Sequence, residues 1–335
     1  MYLNSFIKTK TVINHKEFLL FTGTSYLGVS EVAPFNKQLK QSIDIWGSAH
    51  GSSREANIQL SIYNTGEKLF AELFNTETSV TTSSGTLAGI LSVKTLQNRN
   101  TAFLYMPKTH PSILPEKSFP VFIHNKLNVL LTNSKKEEII IITDAIASLE
   151  THPYSFTFLK EIHANKKVVL LVDVSHYLGV YNDFSPFTFN NIETIFVSSL
   201  GKAYGINGGV IAGNTTFIQQ VKSSSLFKGA AGMSPAFLDC FVNSQNIYRK
   251  QQQKLQNNCE YVFKHLKNNA KFCISKSYPV FFYSDEALAN YLFSKNIIIT
   301  NFYYPTSTKK LNRIVLNANH TKEELDFLIE QIQLY

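Results

Sequence analysis

The chain has 335 residues, 44% hydrophobic and 17% charged, which excludes a disordered tail or a solvated coil and suggests about two structural units. Lys and Arg outnumber Asp and Glu 32 to 24, but they are scattered, as in the pairs Lys166-Lys167 and Lys309-Lys310, so anionic small molecules suit the charge at least as well as nucleic acid. Cys240, Cys259 and Cys273 are odd in number and lack metal-ligand spacing, which argues against a disulfide framework and against a zinc site.

In chain order, short apolar runs predict strands at Ser79–Thr82, Ala102–Tyr105, Val121–Ile123, Ile139–Thr143, Val168–Val172 and Thr194–Val197. Runs that are apolar on both faces suit a buried parallel sheet. Helical patterns lie between them, as at Leu60–Phe74 and Thr86–Gln97. This alternation predicts an α/β sheet covered by helices. The last third reads differently. One long helical pattern covers Pro235–Asn268. A strand at Pro279–Tyr283, a helix at Glu286–Phe293 and strands at Ile297–Thr300 and Arg313–Leu316 follow. The final helix is expected over Thr321–Gln333, with Thr321 as N-cap and Glu323 and Glu324 in an acidic first turn. Without strict alternation, this part predicts a smaller α+β unit.

Three segments carry candidate chemistry. Thr81-Thr82-Ser83-Ser84-Gly85-Thr86 runs from a strand end into a helix, where backbone N–H groups bind anions and Ser84 and Thr86 add hydroxyls. Taken alone it reads rather as an ordinary N-cap, because Ser, Thr and Gly are common at helix starts. Asp173 ends a continuous apolar strand, so it is a turn residue or a carboxylate aimed into the crevice at the sheet's carboxyl edge. His176, three residues on, titrates near neutrality, stacks on a ring, or is a structural loop histidine. Lys202 follows a strand and lies among Gly201, Gly205, Gly208 and Gly209. A lysine is normally a solvated surface residue, but at such a strand exit a depressed pKa makes it a Schiff-base nucleophile. Each signal is weak. Together, a phosphate-cradling Ser-Gly-Thr, a strand-end Asp and a Lys 29 positions later form the set used with pyridoxal 5′-phosphate (PLP).

At these residues the sequence resembles the α-oxoamine synthase family of PLP-dependent fold-type I enzymes, most of all the members serving biotin synthesis. The resemblance runs roughly from Phe21 to Gln333. Ser25-Tyr26-Leu27-Gly28-Val29 is similar to the family's N-D-Y-L-G-L segment. Trp46 to Arg54 resembles its Gly/Ser-rich run ending in Ser-Arg. Thr109-His110-Pro111-Ser112 resembles N-H-A-S, Thr143 to Ser148 resembles T-E-G-V-F-S, and Asp173 to Val180 resembles D-E-A-H-x-x-G-V. Ser199-Leu200-Gly201-Lys202 is similar to the T-x-x-K element, and Arg313 to His320 to the C-terminal R-x-R-x-x-x-S-A-x-H region.

The resemblance implies an α/β, PLP-transferase fold type I protein with a large, mostly parallel-sheet domain and a smaller α+β domain. Residues 1–46 would join the small domain, 47–222 would form the PLP-binding domain, and 223–335 would supply a connecting helix and the C-terminal domain. It implies Lys202 as Schiff-base lysine and Asp173 on the pyridine nitrogen, with His110 stacked on the ring and His176 on the ring hydroxyl. Ser84, Gly85, Thr86 and Ser199 would hold the phosphate, and Ser148 would add a contact. Arg313 would grip a substrate carboxylate, with Tyr26 and Ser52 lining the substrate end. The implied reaction joins an amino acid, L-alanine on the biotin reading, to an acyl thioester (pimeloyl-CoA or its carrier-protein form). The implied assembly is a homodimer.

The chain departs from the family pattern at Tyr63, where His is usual, at Asp144 in place of Glu, and at Leu311 in place of a second arginine. Ala230-Ala231-Gly232-Met233-Ser234-Pro235 also lacks the hydroxyl expected before Met. An aminotransferase or a different oxoamine synthase on the same scaffold is the main rival. A non-enzymatic relative is a second, which the presence of Lys202, Asp173 and His110 opposes. No G-x-G-x-x-G and no G-x-x-x-x-G-K-[ST] occurs, so a nucleotide-binding protein ranks far lower. There is no run of membrane-spanning length and no apolar stretch in Met1–Val12, so a cytoplasmic protein without metal, membrane or nucleic-acid partners is expected.

Overall fold

The computed structural model describes residues 3–4, 6–97, 101–147, 150–285, 287–303 and 310–335. Its larger sheet has seven strands, in the spatial order Thr78–Thr82, Gly209–Gly213, Glu193–Ser199, Lys166–Asp173, Glu137–Asp144, Ala102–Tyr105 and Phe119–Pro120. All pairings are parallel except the two made by Gly209–Gly213. The central strands are apolar on both faces because both are covered. Ile139 and Ile141 pack into one core and Ile140 and Ile142 into the other, all fully buried. Full burial of each such side chain is worth about 1.5–3 kcal/mol.

The second sheet joins the two ends of the chain. Its order is Lys10–Ile13, Lys16–Phe21, Ile297–Tyr303, Lys310–Val315, Val280–Tyr283 and Phe272–Cys273. Lys16–Phe21 runs parallel to Ile297–Tyr303. Side chains reinforce the join. The His320 ring stacks on Phe21 at 4.1 Å and bonds the Leu20 carbonyl oxygen at 3.0 Å, while Nδ1 accepts the Asn317 N–H. Gly28 sits at φ +57°, and a Cβ there would stand 2.4 Å from Asn317 Oδ1. Only glycine fits that approach.

Most expected elements occur with their ends within three residues of those expected, and four differences have physical causes. The helical pattern over Pro235–Asn268 is two helices, Pro235–Asn243 and Gln245–Leu266. Gln245 Nε2 donates to the Phe241 carbonyl at 2.7 Å, the acceptor that the Gln245 N–H would use in a continuous helix. The run Val121–Ile123 is no single strand. Phe119–Pro120 joins the large sheet, and Phe122–Ile123 pairs with Lys126–Leu127 across a turn with positive φ at His124 and Asn125. The strand Gly209–Gly213 was not expected, because its glycines mask the pattern. The final helix begins one residue later than expected, at Lys322, behind a complete capping box between Thr321 and Glu324. Among the described residues no helix is long and apolar enough to cross a membrane.

Candidate active site

At the carboxyl edge of the large sheet, two parallel strands end level with each other. Asp144 lies opposite Asp173 in register. Asp144 is buried, and its Oδ2 accepts the His110 backbone N–H at 2.7 Å. Burial, with Asp173 beside it, holds its pKa well above the usual carboxylate value. Asp173 is half-buried and its Oδ1 accepts the Ser175 N–H at 2.8 Å. The Ser175 hydroxyl oxygen accepts the Ser199 N–H, also at 2.8 Å. Ser175 thus ties the strand-end carboxylate to the next strand's end.

Lys202 stands in the turn between Ser199 and Gly209 and is half-buried. Its ammonium has no hydrogen-bonding or ion-pair partner among the described residues. Burial lowers its pKa, Asp173 and Asp144 partly oppose this, and Arg313 adds to the lowering. A lysine with reduced proton affinity is more often the free amine, which is both nucleophile and base. The His110 ring acts on the same groups. Burial lowers its pKa, Asp173 opposes and Lys202 adds. Its Nδ1 is engaged by Ser112, at 2.7 Å to Oγ and 3.2 Å to the backbone nitrogen.

Arg313 reaches this group from the other sheet. Its charge acts on Lys202, His176, Tyr26 and Tyr278, yet its Nε is buried with no partner among the described residues. A buried donor without an acceptor is costly unless a ligand supplies one. Tyr26 is fully buried, and its hydroxyl lies 2.7 Å from His176 Nδ1. Burial pushes the His176 pKa well below its usual value, and Lys202, Arg313 and His110 push the same way.

The anion side is defined by what glycine omits. A Cβ on Gly85 would lie 2.6 Å from Ser199 Cα, and one on Gly209 would lie 2.3 Å from the Ser84 carbonyl oxygen. The start of helix Gly85–Gln97 is therefore pressed onto the end of strand Glu193–Ser199. First-turn N–H groups have no acceptor within their helix, so Gly85 and Thr86 present donors there. Ser84 and Thr86 are exposed, and Ser84 Oγ also caps the Leu87 N–H at 3.1 Å.

These residues fit PLP. A close backbone cradle suits its phosphate, a strand-end carboxylate faces an unpaired lysine, and a histidine lies within their field. Ser84, Gly85 and Ser199 come together, as do Asp173, His110, Lys202, His176, Arg313 and Tyr26. Ser52 is exposed, and among the described residues no contact joins it to either group. Ser148 and the Leu311 side chain lie outside the described residues. The Tyr63 departure has a structural role. Its ring carries the Arg54 guanidinium at 3.6 Å, and its hydroxyl donates to the Met233 carbonyl at 2.6 Å. Arg54 in turn pairs with Glu67 at 2.8 Å. Ser175 was passed over although it lies inside the Asp173–Val180 motif, and Tyr278 lies in no motif.

Comparison with known proteins bears on the same region. The family model for aminotransferase class I and II matches residues 19–332. The 8-amino-7-oxononanoate synthase of Fervidobacterium nodosum is 26% identical, covering 96% of this chain and 89% of the relative. That of Thermosipho melanesiensis is 25% identical with the same coverage. Among solved structures, Sphingomonas wittichii serine palmitoyltransferase superposes with a TM-score of 0.84 at 17% identity, covering 99% of this chain and 91% of that one. The 8-amino-7-oxononanoate synthase of Francisella tularensis gives 0.71 at 20% identity, covering 95% and 98%. The family match over nearly the whole chain, with candidate-site residues that fit PLP, places this protein in the aminotransferase class I and II family, a PLP-dependent group of fold type I.

Proposed function

We propose that this protein is an α-oxoamine synthase that condenses L-alanine with a pimeloyl thioester, releasing carbon dioxide and a thiol and leaving 8-amino-7-oxononanoate. The observation that carries it is Lys202, without a partner among the described residues and with its proton affinity lowered by burial, within the electrostatic reach of Asp173, Asp144 and Arg313. The names of the relatives support the choice of substrates.

PLP, when bound, supplies the electron sink that lets bonds at Cα ionise. Gly85 and Thr86 N–H groups, with Ser84 and Ser199, would hold its phosphate. Asp173 would keep a proton on its ring nitrogen, and His110 would cover a ring face. Arg313 binds the amino-acid carboxylate by a bidentate pair, which gives its Nε side an acceptor. Lys202 takes the Cα proton and returns it after carbon dioxide has left. General acid–base help of this kind is worth about 10²–10⁴-fold. The homodimer belongs to this proposal, as do the domain limits 1–46, 47–222 and 223–335; what supports the limits is the division of the strands between the two sheets.

The test is thiol release by the PLP-loaded protein, given L-alanine with pimeloyl-CoA or glycine with acetyl-CoA. Alanine-dependent release with pimeloyl-CoA supports the reading. Release with neither pair, alongside an amino-group transfer from L-alanine to the cofactor, would favour an aminotransferase.

A further inference from the structure

Just past the end of strand Lys166–Asp173, one residue holds two parts of the candidate site. The Val174 N–H still donates to the Val197 carbonyl of the neighbouring strand at 2.8 Å. One residue further on, a side chain takes over. The Ser175 hydroxyl oxygen accepts the Ser199 N–H at 2.8 Å. The Ser175 N–H meanwhile donates to Asp173 Oδ1 at 2.8 Å, which closes an Asx turn. Ser175 is buried, at 5% exposure. Its hydroxyl is this chain's own addition, because the D-E-A-H pattern that Asp173 to His176 resembles has alanine there.

Each bond fixes one side of the site. The Asx turn engages Asp173 Oδ1 and leaves Oδ2 without a hydrogen-bond partner among the described residues, available to a ring nitrogen. The Ser199 bond holds the strand end against which the start of helix Gly85–Gln97 is pressed, three residues before Lys202. Functional side chains keep a productive geometry when supporting hydrogen bonds lock them. Removing the hydroxyl takes away the Ser199 N–H acceptor and frees the turn from the strand. The Asx bond itself survives, because its donor is backbone.

We infer that Ser175 is a positioning residue: its hydroxyl locks the Asp173 turn to the Ser199 strand end, so that the carboxylate and the anion cradle keep one spacing before the cofactor binds. The inference deepens the proposed function and rests on it for the use of that spacing, in which Asp173 meets the ring nitrogen while the cradle holds the phosphate. The link itself belongs to the chain.

The test compares Ser175→Ala with the wild type as full chains, PLP-free and PLP-loaded. Alanine is the residue of the resembling pattern and keeps the backbone bond to Asp173, so the variant should fold, which thermal melting checks. In the PLP-free proteins, amide hydrogen exchange is read by mass spectrometry on overlapping peptides that isolate the Ser199 amide. That amide should exchange about tenfold faster in the variant. A PLP titration should give a Kd raised by about 5- to 30-fold. The visible absorption spectrum of bound PLP should also change at fixed pH, because Asp173 no longer meets the ring nitrogen in one orientation. Wild-type exchange at Ser199 in the variant overturns the link. Faster exchange with an unchanged spectrum makes the bond merely structural and overturns the positioning role, as does unchanged PLP affinity. Failure of thiol release by the wild type, with these shifts present in the variant, would strike the proposed function instead.

Discussion

Gly85→Ala is the sharpest test of the anion cradle. The added methyl would stand 2.6 Å from Ser199 Cα and Cβ and 2.9 Å from its backbone nitrogen. Ordinary contact begins at 3.4 Å, so about 0.8 Å of separation must come from backbone movement. Neither side yields easily. Ser199 is held in register with Gly209 and by Ser175 Oγ, and Gly209 is itself paired with Thr82 just before the helix. Forced overpacking of this kind costs about 1–3 kcal/mol. If the helix start gives way, the Gly85 and Thr86 donors move with it. Carried into PLP affinity, the same energy raises Kd by about 5- to 150-fold. The assay is a PLP titration followed by absorbance, with thermal melting of the PLP-free protein. Gly213→Ala is the control, because its nearest neighbours stand at 3.5–3.8 Å. Wild-type PLP affinity and melting in Gly85→Ala would refute the reasoning.

Lys202→Ala should fold and lose turnover in the thiol-release assay by at least about 10²-fold, and turnover at the wild-type rate would end the proposed role. Arg313→Met should raise KM for the amino acid while leaving PLP affinity nearly unchanged, which titration and steady-state kinetics together can read. Asp144 has a folded pKa well above its ordinary 3.8, so the folded chain keeps a proton that the unfolded chain has released. Its contribution is present at low pH and is lost as pH rises through the folded value. In urea unfolding of the PLP-free protein, Asp144→Asn should therefore gain on the wild type as pH rises, and parallel curves would contradict this. His320 behaves oppositely, because burial lowers its pKa from 6.5 to about 4. Its contribution is present above pH 6.5 and is lost as pH falls toward 4. The loss is about 3 kcal/mol, and His320→Gln should flatten that part of the stability curve.

The apolar runs at Ile139–Thr143 and Val168–Val172 announce buried parallel strands without help from the fold, because a strand covered on both faces has no polar alternation. Strand exits are visible for the same reason. The first polar residue after such a run lies at the sheet's edge, as Asp173 does. Lys202 among glycines and Ser-Gly-Thr at a helix start are local patterns, so they too can be read directly. The glycine-rich strand Gly209–Gly213 hides for want of side chains, and the break before Gln245 hides because a side chain takes a backbone acceptor. The neighbours of each candidate residue are a different matter. Asp144 meets Asp173 through strand register, Ser175 joins Asp173 to Ser199 across two strands, and Arg313 and Tyr278 arrive from a sheet that closes only when the chain's ends pair. Those contacts depend on register and chain crossing, which bring together residues far apart in order. The proton affinities of Lys202, Asp144 and His176 depend in turn on the burial and charge that such contacts create.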